Sequence, residues 1–535
     1  MFGVVARPAR WVLLVVLALC LLPLTAQQAS AQAAPAPAPL APSDSITIHG
    51  SLNAGDVQQA GRLTRDGHTH GCEAPTPMAP LENATPLRRD THNLQNPYDT
   101  DRCIVVEADL SGCAGNQTQV VAYSAFNPAN PAAGVASASG FSTIATMRFG
   151  FRVAAGASYA IGVNEVDAGS GCPLYKLKVT NAPMASTTQG DGANGFILQA
   201  TVNAFRNQLG DAQARQEITW DDVPEAAADP HVLPADYYNT VQPRGLVFTG
   251  PADIRVSSDG SGPTAEEFGD LGLFPDTHFQ PFSFLRLMSP VDEPIAQVAF
   301  RVAGTNTPAP TSAFGAVFAD PGTAGFLIPR AANGDPLGLY VPPAHDDGLS
   351  FYGLRFPAPV IHSMSVAGNW VNGVQATAFD NFVYADPGFR LGLAVSGPGR
   401  VTAPGLSCPG QCSATFGSEP VTLKADPSET AGVRWNGACA GTHGATCVLS
   451  LSQSQTSASA TFVSCVKQAT KVTKLKKKLK KLKKAVRKAT TRLGQAEGRA
   501  DVADARSDLI KARKKLAKAK KKLKKAKQSL QVCLG

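Results

Sequence analysis

Three short segments of this sequence carry side chains of the types and spacing that chemistry needs. His68-Thr69-His70-Gly71-Cys72 sets two imidazoles and a thiol at alternate positions, as a metal site on a β-strand would. Its polar surroundings, and the use of Cys72 in a disulfide, read instead as a surface turn. His345-Asp346-Asp347 places a base beside carboxylates. It lies in a loop bounded by Pro and Gly, with no nucleophile motif in the chain, and reads as a solvated turn. Asp380, beside Asn381, offers oxygen to a structural Ca²⁺; no other cofactor is called for. Trp220, Trp370 and Trp435 have faces on which sugars stack, although a single Trp in a β-rich block ordinarily fills core. His-Glu-x-x-His, Gly-x-Ser-x-Gly, a phosphate loop and a dinucleotide fingerprint are all missing. The chain therefore reads as non-enzymatic, with an unrecognised hydrolase in residues 191–388 as an alternative.

Cysteine arithmetic points outside the cytoplasm. Of eleven cysteines, Cys20 falls in the N-terminal apolar run and ten remain. An even number in an exported chain argues for disulfides over thiol chemistry. They cluster as Cys72, Cys103, Cys113 and Cys172; Cys408, Cys412, Cys439 and Cys447; and Cys465 with Cys533. Three pairings are open within the first cluster, and the reading leans to Cys72–Cys103 with Cys113–Cys172.

The net charge of +8 hides a segregation. From Val466 onward 26 Lys and Arg stand against four acids, a net of +22, which leaves −14 for the rest. Ordinary solvated helix faces mix signs, and here acids are nearly excluded. Lys476, Lys477, Lys480, Lys484, Lys514, Lys515, Lys521 and Lys522 are the candidate polyanion-binding side chains. The expected partners are anionic cell-wall polymers or acidic polysaccharide, then anionic lipid or extracellular DNA.

The elements that would present these lysines are legible. Apolar residues recur at Val472, Leu475, Leu479, Leu482, Val486, Ala489 and Leu493, a heptad seam. A second seam runs through Ala505, Leu509, Ala512, Leu516, Ala519, Leu523, Ala526 and Leu530. Gly494 to Gly498 interrupts the pattern, and Asp501 reads as the cap of the second helix. Folded back, pairs from Leu493/Ala505 to Val472/Ala526 share a residue-number sum of 998, as do Cys465 and Cys533. The spacing predicts an antiparallel coiled-coil hairpin of about 40 Å, closed by Cys465–Cys533.

At 535 residues the chain exceeds one core, so three or four domains are expected. Residues 1–31 read as a secretory signal: Arg7 and Arg10, the apolar Trp11 to Leu24, then Ala29-Ser30-Ala31. Leu17-Ala18-Leu19-Cys20 half-resembles a lipobox, but Leu19 stands where a small residue is needed. Residues 32–43 form an Ala/Pro linker. Beyond it, short alternations such as Ser45-Ile46-Thr47-Ile48 and Tyr159-Ala160-Ile161-Gly162-Val163 read as antiparallel strands, with no helical stretch before the tail.

Three blocks result. Residues 44–182 carry Gly50-Ser51-Leu52, Ser124-Ala125-Phe126-Asn127-Pro128, Val153-Ala154-Ala155-Gly156-Ala157, Gly171-Cys172 and Tyr175-Lys176-Leu177. This block resembles the pre-peptidase C-terminal-like domains of secreted bacterial proteins. After a linker at 183–190, residues 191–388 carry Ile218-Thr219-Trp220-Asp221, Phe314-Gly315-Ala316-Val317-Phe318 and Ala378-Phe379-Asp380-Asn381-Phe382. They resemble lectin-like jelly rolls. Residues 389–464 carry Gly397-Pro398-Gly399-Arg400-Val401, Cys408-Pro409-Gly410-Gln411-Cys412 and Trp435-Asn436-Gly437-Ala438-Cys439. This block resembles the divergent internalin-B-type repeat, a small surface module used as spacer or adhesive unit. The likeness implies local bridges Cys408–Cys412 and Cys439–Cys447, with Pro409-Gly410 at the turn.

The expected fold is mainly β: two jelly-roll-like β-sandwich domains, a small disulfide-stapled β repeat module, and the helical hairpin at 465–535. The expected function is adhesion or binding at the cell envelope, tethered by the hairpin, with an unknown glycan or protein ligand for the β domains. A membrane-active effector acting through the cationic helices is the other alternative.

Overall fold

The first sandwich combines strands of period-two alternation with inner strands buried on both faces. One sheet orders Asp44–Leu52, Cys172–Pro183, Arg102–Asp109 and Thr146–Val153; the facing sheet orders Gln58–Ala60, Pro86–Gln95, Ser158–Glu165, Thr118–Tyr123 and Val135–Ala138. Arg102–Asp109, Thr118–Tyr123 and Ser158–Glu165 are buried on both faces. Ile104 and Val106 point into the sandwich's own core with Phe149, Ile161 and Leu177. Cys103 and Val105, on the opposite face, join the core of the next block.

The chain is described from a computed structural model for residues 44–534, apart from 74–79, 83, 116, 141–145, 211–213, 261–278, 292, 369, 372–373, 376 and 428–430. The signal, Cys20 and the Ala/Pro linker lie outside the described residues. No described helix is long and apolar enough to cross a membrane.

The second sandwich has a seven-stranded sheet ordered Ser186–Gly192, Leu349–Arg355, Ala313–Ala319, Ala378–Ala385, Met288–Val291 and Asp253–Val256, with Arg215–Ile218 also on Ala378–Ala385. Against it lie Leu246–Thr249, Ile295–Phe300, Ser363–Ala367 and Phe326–Arg330. Two expectations need correction here. Residues 186–190, read as linker, belong to an edge strand of this sheet. The block also contains a helix, α1 (Gly195–Gln208), capped by the Asn194 side chain, which accepts the Ile197 N–H at 3.2 Å.

Helix α1 covers the outer face of the large sheet through Leu198, Val202 and Phe205. Gly315 and Gly353 are register partners beneath it, and a Cβ on Gly353 would stand 2.6 Å from the Phe205 ring. The paired glycines are the seat for that ring, whose burial contributes on the order of 2–3 kcal/mol. A second short helix, α2 (Tyr237–Thr240), packs beside Leu246–Thr249.

The His68–Cys72 segment lies at the joint between the sandwiches. The Thr69 N–H donates to the Thr323 carbonyl at 3.1 Å and the Cys72 N–H to that of Leu339 at 2.8 Å; on the other side Gly150 donates to the His70 carbonyl at 2.8 Å. Ion pairs rim the joint, Arg330 with Glu107 at 2.9 Å and Lys178 with Asp335 at 2.7 Å. Cys72 is bonded to Cys103, and Cys113 to Cys172.

The third block has sheets Ser413–Phe416, Phe389–Ser396, Gln455–Ser464, Ala431–Gly437 and Leu406–Cys408, Gly399–Ala403, Val421–Pro427, Thr446–Leu449. Its first and last strands pair parallel, a departure from the antiparallel expectation. Cys408 is bonded to Cys412 and Cys439 to Cys447, and Gly410 takes φ +129° in the turn between the first two.

Candidate polyanion-binding hairpin

The last strand of the third block runs through Cys465 directly into α3 (Val466–Gly494), and α4 (Arg499–Leu534) returns along it. Lys, Leu, Ala and Arg are strong helix formers, so both arms are helical by propensity before any packing. Gly498 takes φ +102° at the turn, and its carbonyl accepts the Val502 N–H at 3.1 Å. Asp501, expected as the cap, instead sits in the first turn of α4, where its charge meets the helix dipole.

The seam is the predicted one. Val472, Ala505, Leu509, Ala519 and Ala526 are buried, and the other apolar seam positions are half-buried. Cys465 and Cys533 are bonded with Cα atoms 5.9 Å apart. At the root, a Cβ on Gly432 would overlap the Cys533 carbonyl, so α4 ends tight against the strand Ala431–Gly437. The hairpin is thus fixed to the third block at both ends, by the chain at Cys465 and by this contact at Cys533.

All eight candidate lysines, from Lys476 to Lys522, are exposed. Among the described residues of the hairpin the ion pair formed is Arg492 with Asp508 at 3.1 Å, exposed on both sides. The remaining cations face solvent beside other cations. In water two unit charges 4 Å apart repel by about 1 kcal/mol, and more near a low-dielectric surface. An incoming anion relieves that repulsion as well as pairing. Sequence reasoning missed one local feature: near the root, Lys467, Lys471 and Lys474 of α3 and Lys522 and Lys525 of α4 line a groove. Of these only Lys522 was a candidate.

The other candidates have structural roles. Asp380 is fully buried; its Oδ2 accepts the N–H groups of Phe282 at 2.5 Å and Ser283 at 2.9 Å, and its Oδ1 the Ser283 hydroxyl at 2.8 Å. Asp221 clasps the same loop, accepting from the N–H groups of Phe284, Leu285 and Arg286 at 3.0–3.2 Å. Ca²⁺ asks for six to eight oxygens, whereas these carboxylates meet N–H donors, which compete with a cation for the same lone pairs. Asp380 therefore does not fit a calcium site, and the described residues contain no group of three or more metal-ligating side chains.

His70 is buried and pairs through Nε2 with Asp66 at 3.0 Å, inside the joint and not on a surface turn. His345 Nδ1 pairs with Asp191 at 2.9 Å. Trp220 and Trp435 are core: their indole N–H groups donate to the carbonyls of Asp380 and Gly444, each at 2.9 Å. Trp370 opens the short strand Trp370–Val371.

No protein-family model matches this chain, and no curated protein matches it. The likenesses of its β blocks to known domains are thus readings of their residues alone. Among solved structures, the tandem CBM22-1–CBM22-2 domain of Paenibacillus barcinonensis Xyn10C aligns at 10% identity over 62% of this chain and 99% of its own, with a TM-score of 0.17. The CBM32-1 and CBM32-2 domains of Clostridium perfringens ZmpB align at 11% identity over 64% and 92%, with a TM-score of 0.16. Superpositions this loose carry no argument about function.

Proposed function

We propose that this chain is a secreted, non-enzymatic binding protein of the cell envelope, held to anionic wall or surface polymers by its C-terminal hairpin. The observation that supports it most directly is the array of exposed lysines without carboxylate partners on a hairpin that packs at its root against the third β block. Its sign and density suit a polyanion, and release of that polymer's counterions adds to affinity. The signal-like N-terminus and the five disulfides favour an oxidising compartment. That leaves the sandwiches to meet a glycan or protein ligand.

The test is retention on isolated anionic envelopes. The full chain binds at ~0.1 M salt and elutes before ~1 M, as the Debye length falls from about 10 Å to about 3 Å. A chain ending at Ser464 keeps its folded β blocks and is not retained. Equal retention of both chains across that range would overturn the proposal.

A further inference from the structure

Near its root the hairpin is more than two charged cylinders. The helices bound an open groove of about 840 Å³. Lys467, Lys471 and Lys474 rise along one side at i, i+4 and i+7, with Lys522 and Lys525 opposite. Lys474 faces Lys525 within one residue of the register that Cys465–Cys533 sets, so the two rows flank the same space.

The floor between them is apolar, made by the exposed Val466, the half-buried Leu475 and the buried Ala526. On α4 the spacing Lys522, Lys525, Ser529 continues to Val532, which is 78% exposed. Cationic and apolar side chains therefore alternate along the groove, from Val466 and Lys467 near the root to Lys474, Leu475 and Lys522 at its outer end. A linear polyanion uses the cations but gains nothing from the floor. A simple solvated face needs neither floor nor recess. An anionic amphiphile uses both.

We propose that this groove binds an anionic glycerophospholipid, its phosphate among Lys471, Lys474, Lys522 and Lys525 and the first carbons of its acyl chains over Leu475 and Ala526 towards Val466 and Val532. The Thr470 and Ser529 hydroxyls line the same groove and supply donors to the glycerol and phosphate oxygens. The proposal rests on the hairpin being an anion-binding element and narrows it to one ligand class at one place.

Equilibrium dialysis of the full, oxidised chain with monomeric dihexanoyl-phosphatidylglycerol tests it. Glycerol 3-phosphate and dihexanoyl-phosphatidylcholine serve as headgroup-only and net-neutral probes. Phosphatidylglycerol binds at least about tenfold tighter than either probe. Lys471→Gln with Lys525→Gln weakens it about tenfold, whereas Lys483→Gln with Lys511→Gln, equal in charge but farther up the hairpin, changes it less than about twofold. Equal losses from the two pairs, or equal binding of glycerol 3-phosphate and phosphatidylglycerol, overturn the groove in favour of diffuse attraction. Envelope retention without phospholipid binding also overturns the groove and leaves the tether standing. Phospholipid binding without envelope retention supports the groove and removes the tether.

Discussion

Asp380 shows how far a side chain's role depends on what faces it. Its burial outweighs the donors around it, the neighbouring Asp221 adds repulsion, and its pKa is pushed up to about 7. The unfolded chain gives up that proton near ~3.9. The stability this group contributes is therefore full below about pH 4 and is lost as pH rises through about 7. Three units correspond to roughly 4 kcal/mol, at 1.36 kcal/mol each. Comparing thermal unfolding of the protein with that of Asp380→Asn isolates the effect. The native chain should lose stability relative to the variant between pH 4 and 8, and parallel curves would contradict the assignment. Asn still accepts the Phe282 and Ser283 N–H groups through its carbonyl, so the variant should fold.

At the scale of the element, the hairpin is a contest between a thin seam and dense charge. Its buried seam positions are mostly alanine, which offsets little of the repulsion among 26 cations. Closing a loop of 68 residues with a disulfide contributes about 4 kcal/mol in the chain-entropy model. Reduction should then lower helix content markedly at low salt and much less at ~1 M, where repulsion is screened. Far-UV circular dichroism of the reduced and oxidised chains measures this. A reduced hairpin as helical at low salt as at high would mean that the seam suffices alone. Helix α1 is the opposite case: it depends on tertiary contact, and Phe205 in its glycine seat holds it to the sheet.

For the whole molecule the decisive joint lies between the two sandwiches, where Cys72, Cys103, Val105 and Ala182 share a core with Leu337, Leu339 and Tyr340. Glu107 sits at its rim. Burial works against its charge, but the Arg330 hydrogen bond and the charges of Arg330, Arg148 and Lys178 win and hold its pKa below the usual range. A lowered carboxylate pKa adds stability that is present above the unfolded value, near ~4.3, and lost as pH falls through the folded one. Acid should therefore weaken this joint, and Glu107→Gln should flatten the acid limb of unfolding followed by calorimetry. An unchanged acid limb in the variant would place the acid-sensitive contacts elsewhere.

What the sequence determined by itself is what local spacing can carry. The 3-4 seams, the shared sum of 998 and the abrupt charge segregation specify the hairpin, because a helix pair needs only neighbours within a few turns to define its faces. The alternating runs likewise specify a mainly β chain. Helix α1 was also within reach, since Leu198, Val202, Phe205 and Leu209 recur at 4-3-4 spacing, but its short run is framed by strand-like segments. Only tertiary structure decided the rest. Asp380 meets its donors 97 and 98 residues away, and Thr69 meets the Ala324 carbonyl 255 residues away. Such partners share no periodicity, so no window of sequence contains both. The groove at the hairpin root has the same cause. Each helix shows its own lysine row in sequence, but the space between two rows exists only once the chain has folded back to bring them face to face.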